Sequence, residues 1–209
     1  MKIYPHYSHE GFVNSYLVGN EVSREALIID PGKITGEVIG HIEKNGYTLS
    51  AVCITHNHIR HYGYGLSTLL KIYNPRIYAA DHALVGKHGK MLRGDCTLSI
   101  AGFSVECFSV PGHSPDSYLF KIDNCIFTGD SLTAGIVGST LHSFAAKTLA
   151  EQLEKKLFIH DDSLLLFPGH GPPTTIGVER EFTHLSTFKV DKSTVDPIPY
   201  SNIEYANKI

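Results

Sequence analysis

Four short apolar runs in this chain stop abruptly, each at a polar residue beside glycine or threonine. Leu49–Ile54 runs into Thr55-His56-Asn57-His58, and Val105–Val110 into Pro111-Gly112-His113. Cys125–Phe127 runs into Thr128-Gly129-Asp130, and Leu164–Phe167 into Pro168-Gly169-His170. Apolar runs of this length, bounded by Gly and Pro, read as buried strands. Strand ends that all carry coordinating side chains point to one shared rim, and any fold for this chain must bring the four ends together.

The residue types at that rim suit a metal. In an extended segment residues i and i+2 face the same way, so His56 and His58 can grip one ion. His113 supplies a third nitrogen, and Asp130 an oxygen able to bridge. Three protein ligands with a position left open is how a catalytic zinc is held. A lone histidine after a strand is usually a hydrogen-bonded structural residue, and HxH alone is a weak motif. The joint pattern carries the inference. Gly112, Gly129 and Gly169 let the backbone turn at the rim and leave room beside the ligands.

The remaining elements alternate. Asn14–Val18 and Ala26–Asp30 read as strands, the second ending in the Asp30-Pro31-Gly32 turn. Helical spacing covers Glu37–Lys44, with Gly46 as its stop, and then Gly65–Tyr73, Phe144–Phe158 and Gly177–Leu185. Arg76–Ala79 is a strand. Thr97–Val110 is a pair joined at Ala101-Gly102, and Ser117–Ile122 with Cys125–Thr128 a hairpin turning at Asp123-Asn124. Strands come first in pairs and then with helices between them, in both halves of the chain. That order predicts an α/β fold of two facing sheets with helices outside. From Ser186 the chain turns polar and contains Pro197 and Pro199, so residues 1–185 read as one metal-binding domain and 186–209 as a tail.

Composition excludes several classes. A net charge of −3 without a basic run argues against a nucleic-acid groove or an anionic membrane surface, and leaves a small molecule as the expected substrate. No apolar stretch approaches the roughly 20 residues that span a bilayer. The polar N-terminus lacks the features of a signal peptide. The cysteines Cys53, Cys96, Cys107 and Cys125 are scattered and form no CxxC pair. They read as reduced thiols of a cytoplasmic protein. Of the 13 histidines, His6, His9, His41, His82, His88, His142 and His160 are expected to be solvated or capping residues, and Tyr62 and Tyr64 to be packing residues near the site mouth.

Thr55-His56-Asn57-His58-Ile59-Arg60-His61, Pro111-Gly112-His113-Ser114, Phe127-Thr128-Gly129-Asp130 and Pro168-Gly169-His170-Gly171 resemble, in order, the motifs of the metallo-β-lactamase fold. The resemblance runs from about Asn14 to His184. Phe127-Thr128-Gly129-Asp130-Ser131-Leu132 and the stretch Gly169 to Gly177 look like the glyoxalase II-like branch. The resemblance implies an αββα sandwich in which His56, His58 and His113 hold one metal, His61 and His170 face a second, and Asp130 bridges. It implies metal-dependent hydrolysis of a thioester or small ester. Two other readings stay open: an iron dioxygenase of the persulfide type, and a protein that binds a metal or anion without catalysis.

Two departures matter. The family's HxHxDH motif has its Asp replaced by Arg60, whose guanidinium offers only donors and cannot ligate. A cation there opposes a second dication, so one tightly held zinc is favoured over two, with iron as the alternative metal. Arg60 either grips a carboxylate, thioester oxygen or oxyanion of the substrate, or swings out to solvent. The separate C-terminal domain that binds glutathione in glyoxalase II has no counterpart here, so a glutathione thioester is not the expected substrate.

Overall fold

A computed structural model describes residues 1–87 and 89–183. The expected tail 186–209, His88 and the end of the helix read as reaching Leu185 lie outside those residues.

The first sheet opens with an antiparallel meander, β1 (Lys2–Ser8), β2 (Val13–Gly19) and β3 (Glu25–Ile29). Helix α1 (Gly36–Lys44) then returns the chain to β4 (Thr48–Cys53), which runs parallel to β3. Helix α2 (Ile59–Ile72) leads to β5 (Arg76–Ala79), and the short α3 (His82–Val85) to β6 (Lys90–Met91), so the sheet order is β1 to β6. The second sheet begins with β7 (Cys96–Ile100), β8 (Phe103–Ser109), β9 (Tyr118–Ile122) and β10 (Cys125–Gly129), all antiparallel. A small hairpin, β11 (Leu132–Thr133) and β12 (Ile136–Val137), precedes α4 (Ser143–Lys156). β13 (Leu165–Pro168) lies parallel to β10 and is followed by β14 (Thr174–Thr175) and α5 (Ile176–Phe182).

Alternation along each strand explains the layers. On β4, Ala51 and Cys53 face the second sheet and pack with Val105, Cys107, Phe120 and Phe127. Val52 faces α1 and α2, against Val38, Ile42, Leu66 and Leu69, and Leu49 joins it because the β3–β4 register shifts between Leu49 and Ala51. On the second sheet Leu119, Ile126 and Leu166 turn outward onto Leu149, Leu153 and Leu157 of α4 and its C-terminal end. The result is the αββα sandwich expected from the element order. A strand with both faces covered is apolar throughout, which is why the runs looked continuous in the sequence.

Helix ends follow local chemistry. α1 carries Glu37 in its first turn and Lys44 in its last, matching the helix dipole, and Gly46 terminates it at φ +62°. α4 starts where His142 Nδ1 accepts the backbone N–H of Ala145, the capping role expected of that histidine. His82 opens α3. The four cysteines are free, and Cys53, Cys107 and Cys125 are buried.

β1 is the main element that the sequence analysis lacks. It is an edge strand, half solvated, with Pro5 among polar residues, so its pattern shows little apolar alternation. Backbone hydrogen bonds tie the two sheets together at one end. Asn14 N–H donates to Gly169 at 2.8 Å and Tyr118 N–H to Thr55 at 2.8 Å, while within the second sheet Gly169 N–H donates to Gly129 at 2.8 Å. The four strand ends meet there.

Candidate metal centre

His56 follows β4, and His58 precedes α2 with extended backbone (φ −109°, ψ 125°). α2 starts at Ile59, one residue later, so Arg60 and His61 stand in its first turn rather than on an extended segment. His113 lies in the loop after β8, Asp130 directly follows β10, and His170 follows β13. Elements from both sheets thus place all six expected ligand residues around one point.

That point is Oδ2 of Asp130. It lies 3.3 Å from Nε2 of His61, 3.4 Å from Nε2 of His170, and 3.8 Å from Nε2 of both His56 and His113. The facing atom of His58 is instead Nδ1, 2.8 Å from Nε2 of His56 and 3.3 Å from Nε2 of His113. Ligand atoms of His56, His58, His113 and Asp130 all fall within 4.8 Å of one another, as do those of His61, Asp130 and His170. Asp130 belongs to both groups.

Hydrogen bonds behind the rings decide which nitrogen faces inward. His113 Nδ1 donates to Ser139 O at 2.8 Å, and His170 Nδ1 to Phe12 O at 2.8 Å. His61 Nδ1 donates to Oδ2 of Asp30 at 3.0 Å. Thr55 Oγ1 spends its one proton on Asp30 Oδ2 at 2.7 Å, so its contact with His56 Nδ1 at 2.9 Å requires that nitrogen to be the donor. Each of these four histidines therefore carries its proton on the outside and turns Nε2 to the cluster.

Electrostatics divide the rings: without an ion, His56 and His58 favour the neutral form, while His61 and His170 favour the protonated form that an ion would displace. Burial pushes the His56 imidazole down to about 2, with the neighbouring His61 acting in the same direction, so its ring stays neutral. Burial also lowers His58, reinforced by His113 and His61. His61 moves the other way: burial opposes protonation, but Asp130 and Asp30 on either side raise it to about 10. Contact with Asp130 is the main cause that raises His170. Asp130 itself is held well below the usual carboxylate range, because His170 and His61 outweigh its burial.

Two glycines are needed for this packing. A Cβ on Gly169 would lie 2.5 Å from Oδ1 of Asp130 and 2.6 Å from Cε1 of His61. One on Gly129, which also sits at φ +51°, would lie 2.4 Å from Thr55 Oγ1.

No family model matches the chain. An uncharacterized protein of Treponema pallidum is 36% identical over 176 residues, covering 84% of this chain and 94% of its own. A hydroxyacylglutathione hydrolase of Chromohalobacter salexigens is 30% identical over 158 residues, which are 74% of this chain but 60% of that enzyme. Among solved structures, the BLEG-1 B3 metallo-β-lactamase superposes with a TM-score of 0.76 at 24% identity, covering 89% of this chain and all of the other (100%). ETHE1 from Myxococcus xanthus gives 0.76 at 23% identity, with 92% and 93% covered. TTHA1623, solved in a di-iron-bound form, gives 0.71 at 25% identity, with 87% and 98% covered. The chain belongs to the metallo-β-lactamase superfamily.

Within this metallo-β-lactamase fold, the cluster fits a metal ion on its own geometry. Nε2 of His61 and Oδ1 of Asp130 are buried without a hydrogen-bond partner, an arrangement that costs free energy unless something else satisfies them. Inward lone pairs from imidazoles around one carboxylate are what a divalent cation takes.

Arg60 stands apart from that cluster. It is exposed, and its Cβ, Cγ and Cδ pack 3.0–3.1 Å from where a Cβ on Gly11 would be. Among the described residues it makes no ion pair, with Asp130 or any other carboxylate. Its side chain therefore does not stand among the metal-ligating groups.

Several supporting residues have no place in the sequence analysis. Asp30 reads there only as a turn residue. Asn57 is a junction: its N–H donates to Asp116 at 2.7 Å, its Nδ2 to Asp81 at 2.6 Å, and Tyr62 OH donates to its Oδ1 at 2.8 Å. Tyr62 therefore braces the loop that carries His56 and His58. Tyr64, expected to pack, is 78% exposed.

Proposed function

We propose that this chain is a metal-dependent hydrolase of the glyoxalase II-like branch that acts on a thioester or small ester. Its metal donors are His56, His58, His113 and Asp130 for a tightly held ion, with His61 and His170 facing a looser second position across Asp130. The observation that carries this reading is the convergence of four imidazole Nε2 atoms within 3.8 Å of Oδ2 of Asp130. Its likeness to a hydroxyacylglutathione hydrolase supports the thioester class.

A divalent ion held there supplies Lewis acidity and brings the pKa of water toward about 7. The chain's own groups do the rest. Neutral His56 and His58 keep their lone pairs available near neutral pH, because burial resists their protonation. Oδ1 of Asp130, buried and unpartnered, can orient a nucleophilic water by accepting its hydrogen bond. Asp130 is thus the catalytic residue as well as a donor.

Donor count favours one tight ion. The first group offers three nitrogens and an oxygen, the second only His61, His170 and the shared Asp130. Arg60 contributes nothing where the superfamily motif has an oxygen ligand. A set of nitrogens and one carboxylate suits zinc and also ferrous iron.

Metal content per chain on protein purified without added metal tests this, beside the Arg60→Asp variant and a thioesterase assay. About one zinc in the natural protein and about two in Arg60→Asp are expected, with activity lost on chelation. Two tightly held ions in the natural protein would overturn the single-ion reading. Iron with oxygen consumption would replace hydrolysis by oxygenation, and a loaded protein inert to thioesters and esters would sink the hydrolase reading.

A further inference from the structure

Beside the cluster lies a cavity of about 180 Å³ lined by Glu10, Gly11, Gly32, Lys33, Ile59, Arg60, Gly63 and Tyr64. Its lining adjoins the metal centre along the chain and through Gly32, whose N–H donates to the His61 carbonyl at 2.8 Å. Gly11 precedes Phe12, whose carbonyl holds His170, and Arg60 precedes His61. The floor is open because glycines form it: α2 kinks at Gly63, and the nearest atom to a Cβ there would be the Gly32 carbonyl at 3.8 Å.

The charges in this groove do not cancel. Lys33 is paired with Glu10, the single carboxylate lining it. The Arg60 guanidinium has no ion-pair partner among the described residues. Its stem fills the space where a side chain on Gly11 would stand. Around it Ile59 and Tyr64 expose 66% and 78% of their surface, apolar area that a short carbon chain would cover. The volume is below the roughly 300–1,000 Å³ of pockets that enclose a drug-sized ligand, so only one end of a substrate fits.

We propose that this groove is a subsite for a carboxylate at one end of the substrate, with Arg60 as the specificity residue that pairs with it. The inference rests on the hydrolase reading for the word substrate, but the subsite itself does not need turnover. A planar guanidinium matches a carboxylate in bidentate fashion, and Ile59 and Tyr64 take the methylenes that lead to it. The position that carries a metal-ligating Asp in the superfamily motif thereby serves selection of the acyl or thiol portion instead.

Paired probes test it on the full, metal-loaded chain. S-Succinyl and S-butyryl N-acetylcysteamine differ in a terminal carboxylate against a methyl group, and their thioether analogues cannot be hydrolysed. Calorimetric titration should show the carboxylate thioether binding about tenfold more tightly than its methyl counterpart. That preference should shrink with added salt, disappear in Arg60→Gln and survive in part in Arg60→Lys. With the thioesters, Arg60→Gln should raise KM for the succinyl substrate with kcat little changed, and leave the butyryl substrate unaffected. Equal binding of the two thioethers to the natural protein, or a preference that persists in Arg60→Gln, would overturn the subsite. A binding preference without hydrolysis of either thioester would keep the subsite and sink the hydrolase reading. Hydrolysis without preference would do the reverse.

Discussion

Nδ1 of His61 donates to Oδ2 of Asp30 at 3.0 Å, between side chains that are both almost fully buried. The same carboxylate accepts Thr55 N–H at 2.8 Å and Thr55 Oγ1 at 2.7 Å, and that hydroxyl in turn accepts from His56. One acid thus sets the tautomer of two rings that serve different halves of the cluster. Asp30→Asn keeps the shape but offers one oxygen where two accept now. Affinity for zinc, read by competition with a chelator, should fall by roughly 10–100-fold. Unchanged affinity would mean that neither ring depends on this support.

Gly169 passes between Asp130 and His61 with no space for a methyl group. Its backbone is not in the left-handed region, so the effect of a substitution there is steric. Gly169→Ala should destabilise the fold by about 1–3 kcal/mol, as overpacking does. It should also displace Oδ1 of Asp130 and strip metal from the purified protein. Thermal melting and metal analysis read the two effects, and a fully loaded variant of natural stability would contradict the packing.

The contrast between Asp30 and Asp130 shows what the sequence could reveal. Asp130 ends an apolar run and stands beside Gly129, so its position at a rim is written in local pattern. Asp30 also ends an apolar run, but the Pro31-Gly32 pair that follows is an ordinary turn signal. Its role arises only when β3 and β4 pair in parallel with Ile29 opposite Cys53, which brings it to a residue 25 positions away. Asn57 is hidden for the same reason, since Asp81 and Asp116 reach it from two other loops. The layers were legible because strands covered on both faces read as unbroken apolar runs. β1 was not, because an edge strand keeps half its residues in water, and β11, β12 and β14, two residues long each, have no period to detect. The direction of Arg60 depends on Gly11, again a non-local contact.

Asn57 gives a milder test of the same support. Asn57→Ala removes the partner of Asp81 and Tyr62 but leaves its own N–H on Asp116. A hydrogen bond of this kind contributes about 1 kcal/mol. The variant should fold, melt slightly lower, and bind zinc several-fold more weakly as His58 loses its brace. Asp116→Ala, which removes the acceptor for the Asn57 N–H, should weaken binding in the same way. Natural zinc affinity in both would show that the loop is held by its backbone alone.

Metal removal separates the two groups of donors. An ion bound only to the folded state stabilises it by mass action, about 4 kcal/mol when its free concentration is 1,000 times Kd. For a domain of this size that is roughly 8–16 °C in Tm, so chelation should lower the melting temperature and zinc should restore it. His113→Ala takes a donor from the four-ligand group, and zinc should then raise Tm little. His170→Ala touches only the three-ligand group, so most of the zinc-dependent rise should remain. If the two variants lose the rise equally, the ions are bound as one coupled pair, and the shared oxygen of Asp130 links them more tightly than donor count implies.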